Sequence, residues 1–361
     1  MSEQPQVTNE NIFTNIPKPK KKPALWVHIV LFIVTFFSTA IAGAQWAGVD
    51  FLNLLNWHYG ITYAVLIMVF LSSHEFGHYI ASRIHKVDAT LPYFLPMPVV
   101  YLSPFGTFGA VIKTRTPILT RKALFDIGVA GPIAGFIVSL GFLIYGLMTL
   151  PGIDFIYNIH PEYLTKYGGK IPHTSLFFGD TLLYSFLVKI FANPSGFLPP
   201  MNEIYHYPYL NVGWFGLFVT SINMLPMGQL DGGHIVYAMF GGKAQSKIAK
   251  ITWWALIFIS SGAALNFLYD ILKYDNPGSI YIFLQTTFLP ILKWLKVYAP
   301  WYMAGWGGWL LWVIIAKFFI KMNHPNIAGD EKLDPKRMAI GWIAIIIFVL
   351  SFSYNGIYFI E

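Results

Sequence analysis

The chain has 361 residues, of which 55% are hydrophobic, 18% are aromatic and only 11% are charged. A soluble domain typically carries about 25% charged residues, so this composition leaves too little polar surface to coat a soluble globule. The net charge of +7 does not indicate a nucleic-acid partner, because the Lys and Arg residues lie between apolar segments, as they do in membrane proteins. The absence of cysteine excludes disulfides and thiolate metal sites.

Seven apolar segments approach the length of about 20 residues that a helix needs to cross a bilayer. The sequence therefore predicts an all-α polytopic membrane protein with about seven transmembrane helices. Most of the 24 Lys and Arg residues fall on one side of this topology, which by the positive-inside rule places the N-terminus in the cytoplasm. We expect the membrane to be the cell membrane. The predicted spans are 24–47, 59–84, 125–150, 210–240, 251–272, 301–321 and 338–360.

Three segments do not fit a simple spanning helix. Residues 91–112 are apolar but contain four prolines, which favours a re-entrant loop over a continuous helix. Residues 151–208 are predicted to form an external loop with an amphipathic stretch, and residues 280–298 to lie along the outer interface. The chain is thus divided into a cytoplasmic tail, a membrane core and a C-terminal part with the outer segment and final helices: 1–23, 24–272 and 273–361.

The second apolar segment ends with a His-Glu-x-x-His motif at residues 74–78. His74 and His78 share one face of a helix, so both imidazoles can bind one zinc ion, and Glu75 can accept a proton from a water on that ion. Such a water becomes a nucleophile for a peptide carbonyl. The alternative is a set of polar helix-end residues, which is the weaker interpretation because ionisable groups are costly in lipid.

A third ligand must come from another segment, since catalytic zinc typically has three protein ligands and one position for water. Residues 223–233 (NMLPMGQLDGG) place Asp231 in an apolar stretch that is interrupted by Pro and Gly. On its own, Asp231 would be interpreted as the cap of a new helix. Beside the histidine motif it is the predicted third ligand, because both motifs lie near the cytoplasmic ends of their segments.

The two motifs together resemble the paired signatures of the site-2 protease family of intramembrane zinc metalloproteases. The segments 106–110 (GTFGA) and 130–135 (AGPIAG) are similar to two further blocks of that family, and the four blocks cover roughly residues 70–240. The resemblance implies that Asn223 helps to position the substrate or its oxyanion. In addition, it implies zinc ligation by His74, His78 and Asp231 and a catalytic base at Glu75.

The implied reaction is hydrolysis of a transmembrane protein near the cytoplasmic face, after a site-1-type protease has shortened the substrate. The external loop lacks the strand pattern of the PDZ module that some family members carry, so we expect the short form of the family. The substrate-binding segment is Gly106, Thr107, Phe108 and Gly109, a membrane-associated β-like segment after the catalytic helix that could pair with an unwound substrate by strand addition. A plain Gly-rich turn explains this segment equally well.

A membrane transporter of zinc or protons is the leading alternative, because intramembrane His and Asp residues also build ion pathways. A transporter needs stacked ligands or repeats, and the sequence shows neither. His234 is either a partner of a ligating group or a spectator, and the sequence does not decide between them. The histidines in predicted loops or helix ends, which include His160, His206 and His324, are interpreted as bystanders.

Overall fold

The computed structural model describes residues 24–99, 103–173, 175–329 and 331–360. The predicted N-terminal tail lies outside them. The described residues are mostly helical, with four short strands: β1 (Tyr93–Pro96), β2 (Thr107–Val111), β3 (Ser175–Phe178) and β4 (Ile357–Ile360). The helices are α1 (Leu25–Trp46), α2 (Ile61–Ile84), α3 (Arg121–Met148), α4 (Asp154–Ile159), α5 (Glu162–Thr165), α6 (Leu182–Phe191), α7 (Pro208–Asn223), α8 (Asp231–Phe240), α9 (Gly242–Leu272), α10 (Ser279–Tyr298), α11 (Pro300–Met303), α12 (Gly308–Ile315) and α13 (Pro335–Ser351).

Five helical stretches in the described part of the chain are long and apolar enough to cross a membrane. The predicted helical membrane architecture is therefore confirmed, but the predicted number of seven spans is not. Residues 280–298, expected along the interface, form the helix α10 and meet the same criterion of length and composition. The five stretches are Leu25–Trp46, Leu54–Ile84, Arg121–Met148, Gly242–Leu272 and Ser279–Tyr298.

The largest departure from the sequence prediction concerns residues 210–240, which form two helices instead of one span. Helix α7 ends at Asn223, and α8 begins at Asp231. Between them, Pro226 has no amide hydrogen and Gly228 adopts a left-handed backbone with φ of 50°. The amide of Gly228 donates a hydrogen bond to the Met322 carbonyl at 2.9 Å, so the interruption is stabilised by a distant segment.

The predicted spans near the C-terminus are also interrupted. Residues 301–321 contain α11, α12 and a π-helical turn, Ala316–Ile320. Helix α13 has 17 residues and is followed by β4, which pairs with β3 in the connection between α5 and α6. Because α12 packs against α9, and α13 against α3 and α7, these elements share the core of the preceding helices. The predicted division of the chain at residue 272 stays a prediction.

Helix α3 is the central element, since it contacts α2, α7, α8 and α13. It begins after Thr120, whose hydroxyl accepts a hydrogen bond from the Ala123 amide at 3.2 Å and thereby caps the helix. A bidentate ion pair holds α13 against α3. The guanidinium of Arg337 donates to both carboxylate oxygens of Asp126, at 2.8 and 2.7 Å. Helices α2 and α3 approach each other closely at positions occupied by glycine, such as Gly77.

Strands β1 and β2 form an antiparallel hairpin directly after α2. A strand is therefore present where the sequence predicted a β-like segment, whereas part of the predicted re-entrant loop, 100–102, lies outside the described residues. The hairpin lies against α1, because the Ser38 hydroxyl donates to the Gly106 carbonyl at 2.7 Å. Gly106 has φ of 74°, and a Cβ there would lie 2.4 Å from the Ser38 carbonyl oxygen, so this contact requires glycine.

Candidate metal centre

Three predicted ligands meet at one point inside the bundle. His74 and His78 lie one turn apart on α2 and are buried, and Asp231 is the first residue of α8. The Nε2 atoms of the two histidines are 3.1 Å apart. The Oδ2 atom of Asp231 lies 3.4 Å from the His74 Nε2 atom and 3.3 Å from the His78 Nε2 atom. The three donor atoms therefore form a nearly equilateral triangle.

The size of this triangle fits a tetrahedral zinc ion. With bonds of about 2.0–2.1 Å, two neighbouring ligand atoms of such an ion lie about 3.3 Å apart. The observed separations of 3.1–3.4 Å agree with that value. Imidazole nitrogen and carboxylate oxygen are also ligand types that zinc accepts, and the chain has no cysteine to offer instead.

The hydrogen bonding of His78 fixes which of its nitrogens is free. Its Nδ1 atom lies 2.7 Å from the carbonyl oxygen of Ile127, which can only accept a hydrogen bond. The proton is therefore on Nδ1, and the lone pair of Nε2 points to the triangle. The Nδ1 atom of His74 is buried without a hydrogen-bond partner in the described part of the chain, so a metal ion would be its ring's main polar contact.

Two glycines of α3 make room for the imidazole rings. A Cβ on Gly131 would lie 2.1 Å from the Nε2 atom of His78, and a Cβ on Gly135 would lie 3.2 Å from the Nδ1 atom of His74. Both glycines belong to segment 130–135 (AGPIAG), for which the sequence predicted no role. The structure therefore explains this block as the surface on which the two rings rest.

A cavity of about 540 Å³ opens beside the triangle. Glu75 lies on its wall, is buried, and interacts with the backbone amide of Ile112, the residue after β2. Asn223, the last residue of α7, also lines the cavity and has its Nδ2 atom 3.4 Å from the Nε2 atom of His74. The structure thus places the predicted base and the predicted positioning amide beside the three predicted ligands.

The predicted substrate segment lies outside the cavity wall. Gly106, Thr107, Phe108 and Gly109 do not line it, whereas the following residues 110–112 do. Thr107 is buried and its hydroxyl donates to the Leu95 carbonyl at 2.8 Å, so it holds the hairpin together. The end of β2, and not its beginning, is therefore the part of the strand that faces the site.

A second pair of histidines on the cavity wall was not predicted. The Nδ1 atom of His234 lies 2.7 Å from the Nε2 atom of His324. His324 belongs to the loop between α12 and α13, as the sequence predicted, and it lines the cavity; its interpretation as a bystander stays a prediction. Gln245 fixes this loop, because its Oε1 atom accepts from the His324 amide at 3.0 Å and its Nε2 atom donates to Met322. No pattern in the sequence around His324 indicated this contact.

The family profile described as Peptidase family M50 matches residues 62–263, more than half of the chain. The chain therefore belongs to this family, and the predicted relation to site-2 proteases is confirmed. The probable zinc metalloprotease EGY2, chloroplastic, of Oryza sativa subsp. indica is 27% identical over 192 residues, which is 53% of this chain and 31% of the relative. The probable zinc metalloprotease EGY1, chloroplastic, of Arabidopsis thaliana is 31% identical over 185 residues, 51% of this chain and 30% of the relative.

The chain spans about a third of the length of these curated relatives. The matched portion contains the complete triangle, since His74, His78 and Asp231 all lie within residues 62–263. No solved structure matches the chain.

Proposed function

We propose that this protein is a zinc-dependent intramembrane protease that hydrolyses peptide bonds within or near transmembrane helices of other membrane proteins, near the cytoplasmic face. One observation carries the proposal: two imidazole nitrogens and a carboxylate oxygen converge at zinc-ligand spacing beside a buried glutamate, on the wall of a cavity. Membership of a peptidase family and relatives named as probable zinc metalloproteases support it.

In this proposal each side chain of the site has one task. His74, His78 and Asp231 hold zinc, which supplies Lewis acidity for the attack of water on a peptide carbonyl. Glu75 accepts a proton from the attacking water and delivers it to the leaving amine. Asn223 donates its amide hydrogen to the developing oxyanion or to the substrate backbone.

The substrate is proposed to bind as an added strand. Among the described residues β2 pairs only with β1, so its other edge has no strand partner. A substrate segment that unwinds beside Ala110–Ile112 would receive backbone hydrogen bonds and present an extended amide at the cavity. Residues 106–109 would hold β2 in the hairpin without contacting the substrate. Prior shortening of the substrate by a site-1-type protease belongs to the same proposal, since a shortened helix unwinds more easily.

We propose an integral membrane location with the N-terminus on the cytoplasmic side of the cell membrane. The distribution of Lys and Arg between the apolar segments supports this orientation. The names of the relatives assign those proteins to the chloroplast, and that location is theirs.

The transporter alternative is weakened by the packing of the bundle. A transporter needs ligands along a route that is open in turn to both sides. From the triangle towards the opposite end of α7, the core contains large apolar side chains, and Phe70, Trp214 and Leu217 are completely buried. Such packing fits a site that is approached from one side.

The test compares zinc content with cleavage of a model transmembrane peptide. Glu75→Gln should retain the zinc content of the wild type and lose about 10²-fold or more of the cleavage rate, because the base is removed and the ligands remain. Asp231→Ala should lose about one equivalent of zinc together with cleavage. Glu331→Gln is the matched control, since the side chain of Glu331 is 66% exposed and lies away from the cavity. Cleavage that survives in Glu75→Gln would contradict the proposal.

A further inference from the structure

A second group of two histidines and a carboxylate lies at the opposite end of α7. His160 follows α4, while Glu203 and His206 belong to the turn that leads into α7. The Nε2 atoms of His160 and His206 are 2.9 Å apart. The Oε2 atom of Glu203 is 3.6 Å from the Nε2 atom of His206 and 4.0 Å from that of His160. We refer to these three residues as the distal cluster.

The hydrogen bonds of the distal histidines direct a lone pair of each ring into the cluster. The Nδ1 atom of His206 lies 2.6 Å from the carbonyl oxygen of Trp46, and the Nδ1 atom of His160 lies 3.0 Å from the Oε1 atom of Glu162. Both partners accept hydrogen bonds, so both protons are on Nδ1. This is the arrangement in which a carbonyl or carboxylate orients a metal-binding imidazole.

The third member of the cluster is a buried carboxylate with an unused oxygen. Glu203 is fully buried, and its Oε1 atom accepts a hydrogen bond from the Tyr163 hydroxyl at 2.8 Å. Its Oε2 atom has no hydrogen-bond partner in the part of the chain that the structure describes. Three electron-rich atoms therefore face one another, an arrangement that a cation between them would stabilise.

We infer that the distal cluster binds a divalent first-row transition-metal ion of the zinc type through His160, Glu203 and His206. Two imidazole nitrogens and one carboxylate oxygen suit such an ion, and hard cations such as Mg²⁺ or Ca²⁺ prefer all-oxygen ligands. His160 is the least buried of the three residues, so water could reach a bound ion from its side. The ion joins the end of α1, the external connection and the start of α7, because Trp46, His160 and His206 meet there.

The distal ion is separate from the ion at the candidate active site. Helix α7 has 16 residues and runs from the distal cluster to Asn223 beside His74. At 1.5 Å per residue it spans about 24 Å, far more than the 3.5–4 Å between the ions of a two-metal catalytic site. The inference therefore does not rest on the proposed protease function.

The test is the metal content of four forms of the full-length protein, purified in detergent and dialysed in metal-free buffer after loading with zinc. The forms are the wild type, Asp231→Ala, His160→Ala and the double variant. We expect about two, one, one and no equivalents of zinc, because each substitution removes one of three ligands from a different site. His160 is the variant of choice because it is partly exposed and tolerates truncation better than the buried His206.

Two further variants keep the outcome interpretable. Glu203→Gln retains the size of the side chain and an acceptor for the Tyr163 hydroxyl but removes the anionic ligand, so it should also lose about one equivalent. His173→Ala removes an exposed histidine of the same connection and should keep two. Equal zinc content in the wild type, His160→Ala and Glu203→Gln would overturn the distal site. Wild-type zinc content in Asp231→Ala would instead contradict the proposed active site.

Discussion

The two histidine-carboxylate clusters have the same ligand types but different surroundings. At the candidate active site the three donor atoms are 3.1–3.4 Å apart and border a cavity that also contains Glu75. In the distal cluster the separations range from 2.9 to 4.0 Å, and the remaining oxygen of the carboxylate is held by a tyrosine hydroxyl. The ligands alone therefore do not define a catalytic centre. A catalytic centre also requires a base and space for a substrate beside the ligands.

The clusters also differ in how their histidines are oriented. Both distal rings have an acceptor at Nδ1, whereas at the active site only His78 has one. The His74 ring is instead confined by packing against Gly135 of α3 and Phe70 of its own helix. Hydrogen bonds thus fix both rings of the distal cluster, whereas close packing fixes the His74 ring inside the bundle. This contrast predicts that each cluster is sensitive to a different kind of substitution.

The largest expected effect is that of Gly131→Ala, which changes no ligand. Its methyl group would lie 2.1 Å from the His78 Nε2 atom, so the ring must move by an ångström or more. We expect cleavage to fall by at least about 10²-fold, with loss of the active-site zinc and retention of the distal ion. Cleavage assays and zinc analysis measure both effects.

Gly141→Ala is the matched control for this substitution. It lies on the same helix, and a Cβ there meets no atom within 4 Å, so it should leave cleavage and zinc content unchanged. Equal effects of the two substitutions would mean that helix propensity, and not contact with His78, decides the outcome.

The part of the active site that follows from sequence is the part encoded by local spacing. A histidine pair four residues apart on an apolar helix defines a shared face wherever that helix lies. Asp231 is 153 residues after His78, so spacing alone does not join them; the need for a third ligand and the similar depth of the two motifs predicted the pairing, and the resemblance to a protease family supported it. No regular spacing links the two motifs because α7 and α8 are separated by an interruption. The Asp231 carboxylate reaches the histidines only because the chain turns at Pro226 and Gly228.

The remaining features depend on contacts that no local pattern encodes. His160 and His206 lie in a connection of short helices and turns, without the regular spacing that makes a motif visible. His324 reaches the cavity through a loop that Gln245 fixes from another helix. The number of spanning helices could not be predicted from composition either. Helices α12 and α13 are apolar, but each is shorter than a spanning helix.

A smaller effect is expected at Asn223, the amide beside the active-site triangle. A hydrogen bond from the uncharged amide to the charged oxyanion contributes about 1.5–3 kcal/mol, so Asn223→Ala should lower kcat by about 10- to 100-fold with little change in zinc content. Asn223→Asp removes the donor and keeps an acceptor, and it should not restore the rate. Recovery of the rate in Asn223→Asp would show that the amide acts as an acceptor instead. Steady-state cleavage of the model peptide distinguishes these results.

The distal cluster should affect stability more than cleavage chemistry. In Asp231→Ala, where only the distal site remains complete, added zinc should raise Tm by several degrees, because an ion at 100 times its Kd adds about 2.7 kcal/mol. Asp231→Ala combined with His160→Ala should show no such shift. Thermal unfolding in detergent with and without zinc measures the difference, and an equal shift in both proteins would place the stabilising ion elsewhere.

The smallest expected effect is that of Tyr163→Phe, which removes only the hydroxyl that donates to Glu203. Without it the carboxylate loses the partner that orients it, so the affinity of the distal site for zinc should fall by about tenfold while the active-site zinc is retained. Tyr167→Phe is the matched control, since Tyr167 is exposed and lies four residues away in the same segment. Competitive titration of each protein with a zinc chelator gives the affinities. Equal affinities of the two variants would show that Glu203 is held by burial alone, which would make the distal cluster resemble the packing-dependent active site.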